Sequence, residues 1–369
     1  MELTINREAF YRSLQLIQGI TDKRNTIPIL SNALLSCHEN HVELQATDLE
    51  IFIRMIVPAN IREAGKTTIP AKKLFEISRE IPRDEVSISV DAAHNVTVHA
   101  DGISFKLRGL AHDEFPALPP MDEGSLVEVD PDVLREMIDK TAYAVSSEDI
   151  QYNLTGIFVE NIGTTRRMVR FVATDGHRLA LVDRDIKFHV TGDHHVIIPR
   201  KGILEIKKIL QEVGKPARMG LTKNHFIFAA SNINLFVRLI DGVFPNYKDV
   251  IPKFNQKKVK MDRALFLESL RRASIMSMDK FRGVKLEFQK NGLVVSSSNP
   301  DLGESEETVP VEYAGETLQV SFNSRYFIDV LSALSAKTVL LLLNDEMSPA
   351  IIKDEQDEDF LGVIMPMRL

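Results

Sequence analysis

The sequence predicts an α+β chain built from three like units, each with helices on one face of an antiparallel sheet. Three observations carry this: landmark motifs recur at spacings of 124 to 129 residues, each recurrence opens on an amphipathic pattern, and short alternating runs follow it. A length of 369 residues divides into units of 123 and suits two or three domains.

The landmarks keep one order. TTIPAKKLFEI (Thr67–Ile77) and VIIPRKGILEI (Val196–Ile206) share an apolar run, a proline, two cations and a periodic apolar segment, with Pro70 and Pro199 standing 129 apart. A third copy, VSFNSRYFIDVL (Val320–Leu331), carries Asn323 in the proline's place, 124 further on. Thr47 in LQATDLE and Thr174 in VATDGHR lie 127 apart, and Ser298 lies 124 beyond. Phe115-Pro116 and Phe244-Pro245 repeat at 129. Internal similarity of this kind is the mark of a repeated supersecondary unit.

Each unit opens on a helix. Phe10, Leu14 and Ile17 in the first, Leu134, Met137 and Ile138 in the second, and Leu265, Phe266 and Leu270 in the third have spacings expected of a helical face. Asn6, Asp130 or Asp132, and Asp262 are candidate caps. The runs HVELQA, SISV, NVTVHA and SFKLRGL then predict antiparallel strands in the first unit. A second helix follows each Pro or Asn landmark, since proline is tolerated where a helix start leaves its N–H unpaired anyway. The expected boundaries fall near Pro116–Gly124 and Pro252–Lys258, giving domains 1–120, 125–252 and 253–369.

Composition is ordinary for a chain with real cores: 44% hydrophobic, 26% charged, 18 Gly and 16 Pro. The longest aliphatic run, Val339–Leu343, is too short for a membrane helix, and MELTINREAF lacks a secretory signal's apolar core. A cytoplasmic, reducing location is expected. Cys37 is the only cysteine, which excludes an intramolecular disulfide and cysteine-based metal sites. The net charge of −7 argues globally against nucleic acid, but charge is segregated by element.

Second helices hold Lys72, Lys73, Arg79 and Arg83, then Arg200, Lys201, Lys207 and Lys208, and in the third unit only Arg325 and Lys337. First helices add Arg7, Arg12, Arg135, Lys140, Arg263, Arg271 and Arg272. Acid gathers in Asp354, Glu355, Asp357, Glu358 and Asp359 and in Asp301, Glu304, Glu306 and Glu307. If equivalent helices share a surface, that surface is positive, the opposite rim is negative, and a polyanion's backbone is the fitting ligand.

Catalytic readings have little to stand on. Asp175 and His177 make a triad-like pair, yet no G-x-S-x-G nucleophile elbow occurs and Cys37 lacks protease-like flanks. His189, His194 and His195 could meet a metal, but they lack a carboxylate-bearing frame and read as a loop. No P-loop or dinucleotide fingerprint is present. DGH in the Thr174 segment predicts a tight turn. A hydrolase using Asp175 and His177 and a monomeric DNA-binding repeat protein are the alternatives to a binding scaffold.

Seven motifs in one order now carry a resemblance: NTIPILSNALL (Asn25–Leu35), ATDLE (Ala46–Glu50), VATDGHRLALV (Val172–Val182), IIPRKGILEI (Ile197–Ile206), LIDGVFPNY (Leu239–Tyr247), KFRGVKLEF (Lys280–Phe288) and the terminal MPMRL (Met365–Leu369). The chain resembles the beta subunits of bacterial DNA polymerase III, the beta sliding clamp family. The resemblance implies three clamp domains per protomer and a head-to-tail homodimeric ring, helices inside and sheets outside, encircling duplex DNA without reading sequence. It implies no catalysis, no cofactor and no metal.

By the same resemblance, a partner-peptide pocket comprises Leu154, Thr174, Gly176, His177, Arg178, Leu179, Pro245, Val250, Val363, Ile364, Met365, Pro366, Met367, Arg368 and Leu369. It would take short motifs with Gln and Leu/Phe anchors from the polymerase III alpha subunit, the clamp loader delta subunit, other polymerases, and mismatch-repair or ligase proteins. Asp249 stands where the family pattern leads us to expect Arg, and Pro349 where a small Ser is common. DNA contacts would come from Arg24, Lys72, Lys73, Gln151, Tyr152, Arg200 and Lys201, with Asn153 replacing a second aromatic and Glu148 a neutral Gln. The dimer interface would join Phe105 and Leu107 to Ile275 and Met276, with Lys73 near Glu304 and Glu306.

Overall fold

The structure, a computed structural model, describes residues 1–21, 27–163, 168–188, 190, 195–212, 216–277 and 282–367, with backbone alone at 149–151. The first repeat runs β1 (Glu2–Asn6), α1 (Arg7–Ile20), β2 (Asn32–His38), β3 (His41–Thr47), β4 (Ile51–Glu63), β5 (Lys66–Pro70), α2 (Ala71–Glu80), β6 (Glu85–Val90), β7 (Asn95–Ala100) and β8 (Ile103–Arg108). The second runs β9 (Val127–Val129), α3 (Pro131–Thr141), β10 (Gly156–Ile162), β11 (Met168–Thr174), β12 (Arg178–Asp185), β13 (His195–Pro199), α4 (Arg200–Glu212), β14 (Ala217–Leu221), β15 (His225–Ala230) and β16 (Ile233–Arg238). The third runs β17 (Lys257–Asp262), α5 (Arg263–Ile275), β18 (Gly283–Gln289), β19 (Gly292–Asn299), β20 (Gly303–Glu312), β21 (Leu318–Asn323), α6 (Ser324–Ala333), β22 (Thr338–Leu343), β23 (Ala350–Asp354) and β24 (Asp357–Ile364). Among the described residues, no helix is long and apolar enough to cross a membrane.

Two compact units emerge, and they divide the central repeat: one holds Met1–Asp132 with Lys201–Leu239, the other Val133–Arg200 with Ile240–Leu369. In the first, nine strands follow the order β8-β7-β6-β1-β4-β16-β15-β14-β9, with β2, β3 and β5 branching from β4 through β3. The β4–β16 junction, Phe52 against Phe236 and Ile53 against Leu235, seals the two repeats into one sheet. In the second unit all twelve strands lie in one path, β13-β10-β11-β12-β24-β23-β22-β17-β20-β19-β18-β21.

The helices form where the periodicity places them. Asn6 caps α1 by accepting the Ala9 N–H at 3.0 Å, and Asp262 caps α5 by accepting that of Leu265 at 3.0 Å; such caps contribute about 1 kcal/mol each. Asp130, not Asp132, precedes α3 and accepts the Asp132 N–H. Phe10, Leu14 and Ile17 are buried, as are Leu134, Met137 and Ile138. Burying side chains of this size stabilises the fold by about 1.5–3 kcal/mol each. Tyr11 of α1 stacks on Phe75 of α2 at 5.3 Å, and Phe266 of α5 meets Phe327 of α6 at 5.5 Å, so the two helices of a repeat pair through aromatics. Asn323, where the other repeats have proline, accepts the Arg325 N–H and caps α6 with its side chain.

Several expectations need correcting. Leu265 is 45% exposed, because the α5 stripe runs through Phe266, Leu267, Leu270 and Ala273 and turns Leu265 toward the face of Glu268 and Arg272. The Pro116–Gly124 stretch is no open linker: Leu118, Met121 and Leu126 cover the apolar face made by Phe52, Ile227 and Phe236. Part of the second expected boundary is strand, as β17 begins at Lys257. Lys140 is not a surface cation. It is buried, donating to Glu136 at 2.6 Å and Asp357 at 2.5 Å, and Arg184 joins the same two carboxylates. Asp354 is likewise buried, so the C-terminal acids do not all form an outer rim.

Candidate functional site

The second unit carries a turn whose chemistry is all local. Thr174 ends β11 and pairs with Leu179 across Asp175-Gly176-His177. Its hydroxyl donates to the Arg178 carbonyl at 2.6 Å and accepts the Gly176 N–H at 3.1 Å. One oxygen of Asp175 accepts the N–H groups of His177 and Arg178, both at 3.0 Å. Gly176 has φ +85°, a left-handed conformation that glycine adopts without a Cβ clash. The predicted tight turn is present, and it holds Gly176 and His177 outward.

Arg178, just past the turn, points back. Its Nε donates to the second Asp175 oxygen at 3.0 Å, Nη1 to Asp329 of α6 at 2.6 Å, and Nη2 to the Tyr143 carbonyl at 2.5 Å. The guanidinium also lies over the rings of Tyr326, at 4.7 Å, and Tyr143, at 5.5 Å. Burial pushes the Tyr143 and Tyr326 phenols up, with the Arg178 charge opposing it in both.

Beside this turn the β12–β24 pairing sets Leu179 against Val363 and Arg178 against Ile364. Leu154, Leu179 and Val363 are buried in one cluster with Phe158, Phe244 and Tyr247, where Phe158 stacks on Phe244 at 4.7 Å. Pro245 precedes and Val250 closes a short 3-10 turn, Tyr247–Val250, and both are exposed. The tail leaves β24 under control of backbone bonds: Met365 N–H donates to the His177 carbonyl at 2.9 Å and Met367 N–H to that of Ser321 at 2.8 Å. Met365, Pro366 and Met367 are half-buried. Exposed proline and valine with half-buried, flexible methionine beside a buried apolar cluster are residue types that suit an apolar peptide segment.

The sequence-predicted pocket residues thus gather around one turn, one strand pair and one tail; Arg368 and Leu369 lie outside the described residues. Thr174 is spent inside the turn, and Arg178 faces inward rather than into open space. Asp249 is exposed and accepts from Asn246 at 2.7 Å, while Pro349 is half-buried. Sequence reasoning missed Tyr143, Tyr326, Asp329, Phe244 and Tyr247 as supports. Phe244 and Tyr247 could have been found, since both sit in the LIDGVFPNY motif. Asp329 could not, because α6 is 151 positions away from Arg178 in the chain.

The hydrolase alternative loses its acid here. Asp175 is occupied by two backbone N–H groups and Arg178, and the His177 ring lies parallel to Tyr326 at 6.4 Å. Among the described residues no hydrogen bond joins the His177 ring to Asp175, so nothing orients it as a base. Of the histidine trio, His189 and His194 lie outside the described residues and His195 opens β13.

The candidate DNA-contacting residues fall at helix starts. Lys72 and Lys73 lie in the first turn of α2 and share Glu76, at 3.5 and 2.7 Å. Lys201, in the first turn of α4, pairs with Asp48, and Arg200 is exposed. The exposed Lys72 and Lys73 pairs are worth about 0–1 kcal/mol each, so a phosphate can displace their carboxylate, whereas the Asp48 side chain is only 6% exposed. Tyr152 is 57% exposed. Asn153 is held by the Val243 carbonyl at 2.7 Å. Arg24 and the Gln151 side chain lie outside the described residues.

The residues expected at the dimer interface sit on two strand edges. Among the described residues β8 ends its sheet path, paired only with β7, where Phe105 and Leu107 oppose the buried Val98 and Val96 and so extend a core face to an open edge. Along Gly303–Pro310, β20 pairs only with β19, since β17 meets it only at Val311 and Glu312. Ile275, at the end of α5, is 73% exposed, and Leu302, before β20, is 66% exposed. Met276 approaches the backbone at Gly303. Glu304 and Glu306 are exposed on β20, while Lys73 bonds Glu76 within its own helix. Lys106 and Arg108, exposed on β8, were missed and stand alternate to Phe105 and Leu107.

A threefold repeat of helix-backed antiparallel sheets with cationic helix starts defines the class, a DNA clamp. The chain matches three domains of the DNA polymerase III beta subunit, the N-terminal domain over residues 1–119, the central domain over 128–246 and the C-terminal domain over 248–368. It is 35% identical to the beta sliding clamp of Pseudomonas aeruginosa and 33% identical to that of Escherichia coli, each covered in full by the full chain. Among solved structures, the DNA polymerase III subunit beta of Bartonella birtlesii bound to griselimycin superposes with a TM-score of 0.95 at 34% identity, with both chains fully covered. The chain belongs to the DNA polymerase III beta subunit family, the beta sliding clamps. It is a processivity subunit and not an enzyme.

Proposed function

We propose that two copies close head to tail into a ring around duplex DNA, and that polymerase, clamp loader and repair partners dock by short peptides on Leu154, Gly176, His177, Leu179, Pro245, Val250, Val363 and the Met365–Met367 tail. The observation that carries closure is the pair of open edges. The β8 edge offers Phe105 and Leu107 on one face with Lys106 and Arg108 on the other, and the β20 edge offers Glu304 and Glu306 beside Ile275, Met276 and Leu302. An unpaired edge with an apolar face is a template for a second chain, and opposite charges select the partner. A heterologous contact of this kind gives a ring when its rotation closes and an open filament when it does not, and two copies suffice for a ring when each brings one edge of each sort.

Lys72, Lys73, Arg200, Lys201 and Tyr152 are the residues proposed to meet DNA, through phosphate contacts that carry no sequence information and therefore permit sliding. A cytoplasmic site of action belongs to the same reading. The test is stimulation of polymerase on a primed circular template together with solution mass. Stimulation by a species of twice the 41.6 kDa chain mass supports the reading, and a monomer that leaves synthesis distributive contradicts it. His177→Ala separates the classes: a clamp loses peptide binding and still dimerises.

A further inference from the structure

Arg178 stands at the rim of the pocket, yet it is unlike a ligand-facing arginine. Its side chain is 9% exposed, three of its N–H groups bond inward, and two tyrosine rings lie against it. Two carboxylates, Asp175 and Asp329, flank one guanidinium, and Arg325 approaches Asp329 at 3.8 Å from the solvent side. The two acids differ in role. Asp175 also caps the turn through the N–H groups of His177 and Arg178, so the turn needs it. Asp329 has no such duty: its carboxylate sits on α6, half-buried, and its bonds are to Arg178 and Arg325.

Resting on the peptide-docking reading, we propose that Asp329 is a specificity-determining residue of the pocket, which neutralises and turns inward the Arg178 charge so that the rim gives no advantage to acidic peptides. A buried guanidinium that keeps Asp175 but loses Asp329 has an N–H group left without its acceptor, and a buried donor without a partner is costly. A peptide carboxylate at the rim would supply that acceptor through a charge-assisted hydrogen bond.

The test uses the full chain and two labelled peptides with Gln and Leu/Phe anchors, identical except for Asn or Asp between the anchors, read by fluorescence anisotropy. The unsubstituted protein is expected to bind the Asp peptide no more tightly than the Asn peptide. Asp329→Asn keeps the side chain's shape while removing its charge, and should favour the Asp peptide by about fivefold or more, an advantage that shrinks in high salt. Asp329→Ser should do the same, and Arg178→Gln added to either variant should abolish the preference. Equal changes for both peptides in Asp329→Asn and Asp329→Ser, which a merely structural role would give, overturn the inference and leave the pocket reading intact. A strong Asp preference in the unsubstituted protein also overturns it. Failure of the unsubstituted protein to bind either peptide overturns the pocket reading and the inference with it.

Discussion

Nη1 of Arg170 donates to the hydroxyl oxygen of Tyr247 at 3.0 Å, and the same hydroxyl donates to Glu160. Arg170 is itself fixed by Asp183 through two bonds of 2.7 and 2.6 Å. The strands β10, β11 and β12 therefore hold, through one phenol, the 3-10 turn that Pro245 precedes and Val250 closes. Burial and Glu160 push that phenol up to about 12 against the opposing Arg170 bond, so it stays a donor in ordinary buffers. Tyr247→Phe keeps the ring in its cluster and removes both bonds. It should cost about 1.5–3 kcal/mol in denaturant titrations, the usual loss for a hydrogen bond to a charged partner. Peptide affinity should weaken several-fold, because the turn loses its anchor. Unchanged affinity alongside lower stability would show that the turn is held by packing alone.

The two open edges make a charge-swap prediction. Glu304→Lys with Glu306→Lys should convert dimer to monomer at micromolar concentration, by setting like charges opposite Lys106 and Arg108. Combining it with Lys106→Glu and Arg108→Glu should restore the dimer. Sedimentation velocity reads both. Rescue by Lys73→Glu instead would return that role to Lys73.

The buried cluster of Lys140, Arg184, Glu136 and Asp357 governs acid stability. Although burial pushes the Glu136 and Asp357 carboxyls up, hydrogen bonds from Arg184 and Lys140 outweigh it and hold both below their ordinary values. Carboxyls lowered on folding contribute stability that is complete above the unfolded carboxylate range, about pH 4, and is lost as pH falls through the folded values. Asp357→Asn should thus lower stability at neutral pH by about 2–3 kcal/mol, less than the 3–5 of a fully broken buried pair because Glu136 remains. It should also flatten the loss of stability on acidification. Urea midpoints measured from pH 7 down to acid check both effects.

Cys37, buried on β2, has its thiol pushed up to about 11 by desolvation. The thiolate is the reactive form, so the native protein should react with a disulfide reagent at pH 8 far more slowly than the unfolded chain. Comparable rates would mean that β2 opens readily.

The repeat made much of this fold legible. Amphipathic spacing and a proline or asparagine at each second helix start are local signals, and they located α1 to α6 without knowledge of tertiary contacts. Leu265 failed because the buried stripe of α5 begins one residue later, at Phe266 and Leu267, which leaves Leu265 on the exposed face of Glu268 and Arg272. Lys140 failed for a different reason: its partner Asp357 is 217 positions away, and nothing local marks a cation as buried. The pocket was legible where motif residues are contiguous, as in Thr174–Leu179 and Met365–Met367. Its supports from Tyr143 and Asp329 were not, since they meet Arg178 only through bonds between residues 35 and 151 positions apart in the chain. The division of the central repeat between two compact units was also hidden, because strand pairing such as β4 with β16 leaves no trace in spacing.

Topological retention on DNA is the most direct measurement. The chain is loaded on nicked circular DNA by a clamp loader and followed by gel filtration in high salt before and after linearisation of the circle. The expected result is retention on the closed circle, which salt does not disturb because the link is topological, and rapid loss once ends are cut. Release from the intact circle by salt, or equal retention on linear DNA, would contradict a ring and leave a protein that binds DNA by charge alone.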